Sequence, residues 1–132
     1  MALDHVSIGV TNMQRSKAFY DAALAPLGMT PVMPVEIGGQ LVGLGYGSSE
    51  KPCFWIGKPI NGQPATMGNG VHIALHAATR AAVDAFYLAA LAQGGIEDGK
   101  PGLRGHYHPN YYGAFVRDPD GNKVEACCHA PE

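Results

Sequence analysis

"HVSIGVTNMQRSKAFYDAALAPLG" (residues 5–28) recurs without gaps, at an offset of 67, as "HIALHAATRAAVDAFYLAALAQGG" (residues 72–95). His5 meets His72, Phe19-Tyr20 meet Phe86-Tyr87, Leu24 meets Leu91 and Gly28 meets Gly95. Alanine matches carry little weight in so alanine-rich a chain, but the His, Phe-Tyr, Leu and Gly matches do. Two copies point to a duplicated unit rather than a solenoid.

Each copy opens with period-two alternation, the mark of a half-buried strand. Val6, Ile8 and Val10 oppose His5, Ser7 and Gly9, and Val71, Ile73 and Leu75 oppose His72, Ala74 and His76. A helix follows in each. Phe19, Ala23 and Leu27 form one apolar stripe; Val83, Phe86 and Ala90 form the other. Asn12 and Thr79 are the expected N-caps, and Gly28 and Gly94-Gly95 the stops.

Extended pieces come next: "TPVMPVEI", "QLVGLGYG" and "PCFWIG" in the first copy, "IEDGKPG", "GAFVRD" and "KVEACCH" in the second. The chain therefore reads as two β-α-β-β-β repeats, an α+β domain over 1–132. Repeat 1 covers about 1–57, a Pro- and Gly-rich linker 58–70, and repeat 2 about 71–132. The expected architecture is a curled, largely antiparallel sheet with helices on one face and a cavity on the other. Val6, Ile8, Ile73 and Leu75 face the helices, and His5 and His72 face the cavity.

"RDPDGNKVE" (117–125) contains both a turn and a candidate ligand. Asp118, Pro119 and Gly121 suit the first, second and fourth positions of a type I turn, and Gly121 comes too early for a calcium loop. In the strand that follows, Val124 and Ala126 take the core side, so Glu125 faces the cavity with Cys127. A lone strand glutamate is usually just solvated. Two histidines at equivalent positions of the repeat change that reading: two imidazoles and one carboxylate suit a divalent metal and leave positions open for substrate. The expected metal ligands are His5, His72 and Glu125.

"DHVSIGV", "SKAFYDAALAPLGM", "GVHIAL" and above all "AFVRDPDGNKVE" resemble the vicinal oxygen chelate superfamily over essentially the whole chain. That superfamily includes glyoxalase I, extradiol dioxygenases, methylmalonyl-CoA epimerase and the bleomycin and fosfomycin resistance proteins. The resemblance implies ligands on the first and last strands of each repeat, matching His5, His72 and Glu125. The fourth position falls in "PCFWIG", with Phe54 opposite Glu125 to within about one residue. No carboxylate, Gln or His occurs in Cys53 to Ile56. The four-ligand set of glyoxalase I is therefore incomplete, leaving three ligands, as in extradiol dioxygenases and fosfomycin-type enzymes.

What the resemblance implies is a divalent-metal-dependent enzyme, a lyase or dioxygenase, whose small-molecule substrate chelates the ion through adjacent oxygens. Side-chain identity permits Fe, Zn, Mn, Ni or Co. His76, on the face of His72, and His108 and Tyr112, in the loop "GHYHPNYY", are the catalytic candidates; His106 and Tyr111 share that loop. The tyrosine that extradiol enzymes carry before the Asp-Pro turn is replaced by Phe115. Arg104 and Arg117 are candidates for holding a substrate anion. The alternative function is a non-catalytic protein of bleomycin-resistance type, binding an antibiotic or aromatic metabolite.

The remaining bounds are negative. Formal net charge is -2 with no Lys/Arg block, which argues against nucleic-acid or membrane-surface partners. No apolar run reaches the roughly 18 residues of a membrane span. "MALDHVSIGV" lacks the features of a signal peptide. An odd cysteine count with no C-x-x-C pair fits a reducing cytoplasm. The family resemblance also implies a homodimer, with a cavity built within one chain or across two.

Overall fold

A computed structural model describes residues 2–132 of the chain. The first half comprises β1 (Val6–Gly9), α1 (Met13–Leu24), β2 (Thr30–Ile37), β3 (Gln40–Gly47) and β4 (Phe54–Gly57), with a short 3-10 turn at Ala25–Leu27 after the helix. The second comprises β5 (His72–His76), α2 (Arg80–Ala92), β6 (Ile96–Leu103), β7 (Tyr112–Arg117) and β8 (Lys123–Cys128). Residues 58–71 carry neither helix nor strand.

The helix signals act as expected. Asn12 Oδ1 accepts from the Arg15 amide at 3.0 Å, and Thr79 Oγ1 from the Ala82 amide at 3.1 Å. Each such cap is worth about 1 kcal/mol. Gly28 and Gly94 end the helical segments with φ of 77° and 88°, left-handed values that a side chain would oppose.

The sheet differs from a single curled sheet. The strands form two four-stranded sheets that do not join, in the orders β1-β4-β3-β2 and β5-β8-β7-β6. Each is mixed. β1 pairs with β4 in parallel, as β5 does with β8, while the other pairings are antiparallel. Chain reversals explain the parallel pair: from β1 the direction inverts at α1, β2, β3 and β4, so β4 returns pointing the same way as β1. β1 and β5 each keep one edge without a strand partner among the described residues.

The helix-facing sides share one hydrophobic cluster. Phe19, Tyr20, Ala23 and Leu24 of α1 join Val83, Phe86 and Ala90 of α2, Ile56 of β4 and Val124 and Ala126 of β8. Val6, Ile8, Ile73 and Leu75 pack against it, as their alternation requires.

A polar clamp ties the halves together beneath this cluster. Asp118, 2% exposed, lies in the β7–β8 turn. The Tyr20 hydroxyl of α1 donates to its Oδ2 at 2.7 Å. The amides of Asp120 and Asn122 donate to Oδ1, both at 2.9 Å. The Asn122 amide group spends one N–H on Asp118 Oδ2 at 2.9 Å and the other on the Gly9 carbonyl of β1 at 3.0 Å. Asp120 Oδ1 accepts from the Thr11 amide at 3.1 Å, and the Gly121 amide closes the turn onto the Asp118 carbonyl at 2.9 Å. A buried carboxylate costs several kcal/mol unless its lone pairs are matched, and here four donors match them.

Removing one side of this clamp leaves buried groups unpaired, so Asp118→Ala should cost about 3 kcal/mol or more and Tyr20→Phe about 2 kcal/mol. Urea unfolding midpoints at constant slope check both, and equal costs near zero would contradict the clamp. Burial, and then the Asp118 carboxylate, push the Tyr20 phenol well above its ordinary value. The unfolded chain releases that proton near pH 10 while the fold retains it. Stability should therefore be complete below about pH 10 and decline above it, and less steeply in Tyr20→Phe.

Candidate metal centre

β8 is buried along almost its whole length, and its alternation sets Glu125 apart from its neighbours. Val124 and Ala126 enter the core; Glu125 points to the opposite face yet is only 1% exposed. It lies between two strands, with Ala74 of β5 as its parallel partner and Phe115 of β7 as its antiparallel one. His72 at the start of β5 brings its Nε2 to 3.3 Å from Glu125 Oε1. The Phe115 ring stands edge-on to the His72 imidazole, centroids 5.9 Å apart.

The loop between β6 and β7 folds over this face. Its ends are pinned where the Arg104 amide donates to the Tyr111 carbonyl at 2.7 Å. Within it, the Tyr107 amide donates to the Arg104 carbonyl at 2.9 Å and the Tyr111 amide to the His108 carbonyl at 3.1 Å. This brings the Tyr111 hydroxyl onto Glu125 Oε2, to which it donates a hydrogen bond. Burial, reinforced by that bond and by Cys127, raises the Tyr111 phenol above its ordinary value, so it stays a donor at neutral pH. Tyr107 and His129 pack on the Tyr111 ring with centroids at 5.0 and 4.9 Å. Cys127, two residues beyond Glu125, is also buried, and desolvation pushes its thiol up.

The catalytic candidates are distributed unevenly. Tyr112 faces away from Glu125. Its hydroxyl donates to Asp84 of α2 at 2.7 Å, and the Arg80 guanidinium lies 5.4 Å from its ring centroid. Strand parity is the reason: Tyr111, Gly113 and Phe115 share the face of Glu125, whereas Tyr112, Ala114 and Val116 face α2 and the core. Tyr111, not Tyr112, is the hydroxyl that meets Glu125, and counting back in twos from Phe115 identifies it. His108 is exposed; its Nδ1 accepts from the Asn110 amide at 3.0 Å, and its ring lies 5.3 Å from that of His129. His76 is exposed at the end of β5, with Cys127 as its strand partner. His106 stacks on Tyr107 at 4.2 Å.

His5 belongs to a separate cluster. It precedes β1, with Nδ1 2.6 Å from Asp4 Oδ1, and Lys51 Nζ lies 3.0 Å from the same oxygen. The bond to His5, and then Lys51, hold the Asp4 carboxyl below its ordinary range. A cavity of about 620 Å³ opens beside His5, Met33 and Trp55. Among the described residues, no group of three or more His, Cys, Asp or Glu side chains lies close enough to share one ion. Within one chain, then, His72 and Glu125 come together and His5 does not join them.

Strand register also identifies the residue at the fourth position. Val6 pairs with Phe54, and its repeat equivalent Ile73 pairs with Val124. Trp55 is therefore the counterpart of Glu125, one residue beyond Phe54. An indole replaces a carboxylate, and that position offers no ligand. Trp55 instead helps line a larger cavity of about 890 Å³, bounded by Ser7, Val35 and Ile37 and by residues 58–66 of the linker. Arg117 is engaged by Asp98 at 3.0 Å and by the Gly121 carbonyl, whereas Arg104 donates to the Lys100 and Gly102 carbonyls.

His72 and Glu125 fit one edge of a metal site. Bonds of about 2.0–2.2 Å to imidazole nitrogen and carboxylate oxygen, at tetrahedral angles, place adjacent donors roughly 3.3–3.6 Å apart, and the pair at 3.3 Å stands at the lower end of that span. The anchored carboxylate supplies charge, and the imidazole supplies a borderline-soft nitrogen. A metal site built on this pair would need a third donor from elsewhere.

No curated protein matches the chain significantly. A crystal structure of a glyoxalase/bleomycin resistance protein from Albidiferax ferrireducens superposes with a TM-score of 0.85 at 40% identity, over 97% of this chain and 99% of that one. A glyoxalase/bleomycin resistance protein/dioxygenase family enzyme from Burkholderia phytofirmans shares the fold at 18% identity and a TM-score of 0.70, over 98% of this chain and 100% of that one. A glyoxalase I mutant from Zea mays does so at 24% identity and a TM-score of 0.71, over 95% of this chain but 45% of that one. The family model described as glyoxalase/bleomycin resistance protein/dioxygenase superfamily matches residues 2–126. Matched over almost its whole length by that family model, and 40% identical to one of the solved structures, the chain belongs to that superfamily.

Proposed function

We propose that the chain is a divalent-metal-dependent enzyme acting on a small molecule that offers adjacent oxygens to the ion. The observation that carries this is the buried Glu125 carboxylate beside His72 Nε2 at 3.3 Å. His72 and Glu125 hold the ion, and His5 is the third ligand. A bound divalent ion supplies Lewis-acid polarisation of the substrate oxygens, for proton transfer, addition or ring cleavage. The chain's own contributions are a buried carboxylate, an apolar Phe115 ring beside His72 and a loop that brings the Tyr111 hydroxyl to Glu125. His76 and His108 are the candidates to take or return a proton once substrate is bound.

His5 reaches the pair in a homodimer. The unpaired edges of β1 and β5 carry His5 and His72 at or just before their first residues. A partner's β1 laid near β5 would bring its imidazole to Glu125. No helix among the described residues is long and apolar enough to cross a membrane, and Cys53, Cys127 and Cys128 are free, which suits a reducing cytoplasm.

One observation favours a second reading, a binding module without chemistry. The cavity of about 890 Å³ beside Trp55 falls in the size range of small-molecule pockets, and no carboxylate or histidine lines it. Under that reading, an aromatic ligand binds equally well to a His5→Ala, His72→Ala double variant.

Reconstitution of untagged protein under reducing conditions, followed by elemental analysis, tests the metal reading. The expected result is about one equivalent of Fe, Zn, Mn, Ni or Co per chain, with affinity falling more than about 100-fold in His72→Ala and Glu125→Gln. Uptake below about a tenth of an equivalent would contradict it. Sedimentation of the same samples should give a dimer, and a monomer carrying a full equivalent of metal would remove the shared-ligand arrangement.

A further inference from the structure

We infer that Tyr111 is the positioning residue of the site: its hydroxyl holds Glu125 Oε2, so that Oε1, beside His72, is the oxygen left for the ion. This rests on the metal reading above and assigns a role to a residue outside the ligand set.

Three independent features of the structure converge on it. The first is hydrogen-bond accounting. Glu125 is almost wholly buried, and the side chains that reach its two oxygens are His72 at Oε1 and Tyr111 at Oε2. A buried carboxylate oxygen left without a donor is costly, so the phenol restrains rotation about the terminal side-chain bond, which is otherwise broad. The second is steric. A Cβ at Gly113 would stand 3.1 Å from Glu125 Oε2 and 3.2 Å from Tyr111 Cε1, so the bare backbone of β7 makes room for both groups at the point where they meet. The third is the mounting of the ring. Tyr107 and His129 flank it, and the Arg104 amide fixes its backbone carbonyl at 2.7 Å. The loop therefore holds one hydroxyl at a fixed point, whereas the imidazoles of His106 and His108 stay exposed.

The chemical consequence is selection between the two carboxylate oxygens. With Oε2 occupied by an O–H donor, Glu125 is restricted to binding through one oxygen, and the hydrogen bond sets its orientation toward His72. Outer partners of metal ligands act in this way, and their loss commonly costs 10–100-fold in affinity, about 1.4–2.7 kcal/mol.

The test is zinc affinity, measured by competition with a chromophoric chelator, for wild type, Tyr111→Phe and Tyr112→Phe, together with the thermal midpoint of each. Tyr112→Phe is the matched control, because it removes the neighbouring hydroxyl from Asp84 on the opposite face. The expected result is about a 10–100-fold weaker affinity for Tyr111→Phe, with Tyr112→Phe unchanged in affinity although its bond to α2 is lost. Substituting cobalt should also give Tyr111→Phe a visible spectrum different from wild type, a change that loss of stability alone does not produce. Equal zinc affinity and equal spectra in wild type and Tyr111→Phe would overturn the positioning role while leaving the metal reading standing. Equal weakening in both tyrosine variants would also overturn it, as a stability effect. No zinc or cobalt uptake by wild type would overturn both.

Discussion

The Asp118 carboxylate is the constraint on which the rest of the molecule depends. It sits in the turn of the second half yet takes its hydroxyl donor from Tyr20 on the helix of the first, while Asn122 bridges it to the Gly9 carbonyl at the end of β1. Hydrophobic burial is non-directional and tolerates sliding between two similar α/β layers. Four donors meeting one buried carboxylate do not. The "RDPDGN" segment is thus the joint between the repeats, and its acids are spent on structure.

That joint also determines where Glu125 is placed. β8 leaves the turn at Lys123, directly after Asn122, so the clamp fixes the start of the strand whose third residue is Glu125. Val124 and Ala126 then hold the strand from the helix side, and β5 and β7 flank it in opposite directions. His72 reaches Glu125 from the parallel neighbour, and Tyr111 reaches it from the loop entering the antiparallel one. A carboxylate placed this way is ordered before any ligand arrives, and such pre-organisation is what a metal or substrate site requires.

Local features were legible in the sequence because local rules govern them. Asn12 and Thr79 cap as their side chains predict, and β2 and β3 occupy the segments read as extended pieces after the first helix. Glu125 and His72 followed from two-residue periodicity and the repeat. Other features depend on relations that periodicity does not express. That Tyr111 rather than Tyr112 meets Glu125 needed the parity of β7 carried back through a loop. Trp55 as the counterpart of Glu125 needed a strand register that a gapped alignment leaves one residue uncertain. The separation of His5 from His72 depends on two sheets whose β1 and β5 edges do not join, and strand patterns do not specify how sheet edges meet. The clamp partners Tyr20 and Gly9 lie too far along the chain from Asp118 for turn chemistry to reveal them.

In the proposed enzyme, His72 and Glu125 form one edge of a metal site completed by a further imidazole. X-ray absorption at the cobalt edge of the cobalt-loaded protein tests it most directly. The predicted spectrum contains the multiple-scattering signature of two imidazoles and a shell of nitrogen and oxygen donors at about 2.0–2.2 Å. A spectrum of oxygen donors alone, unchanged when His72 is replaced by alanine, would contradict it.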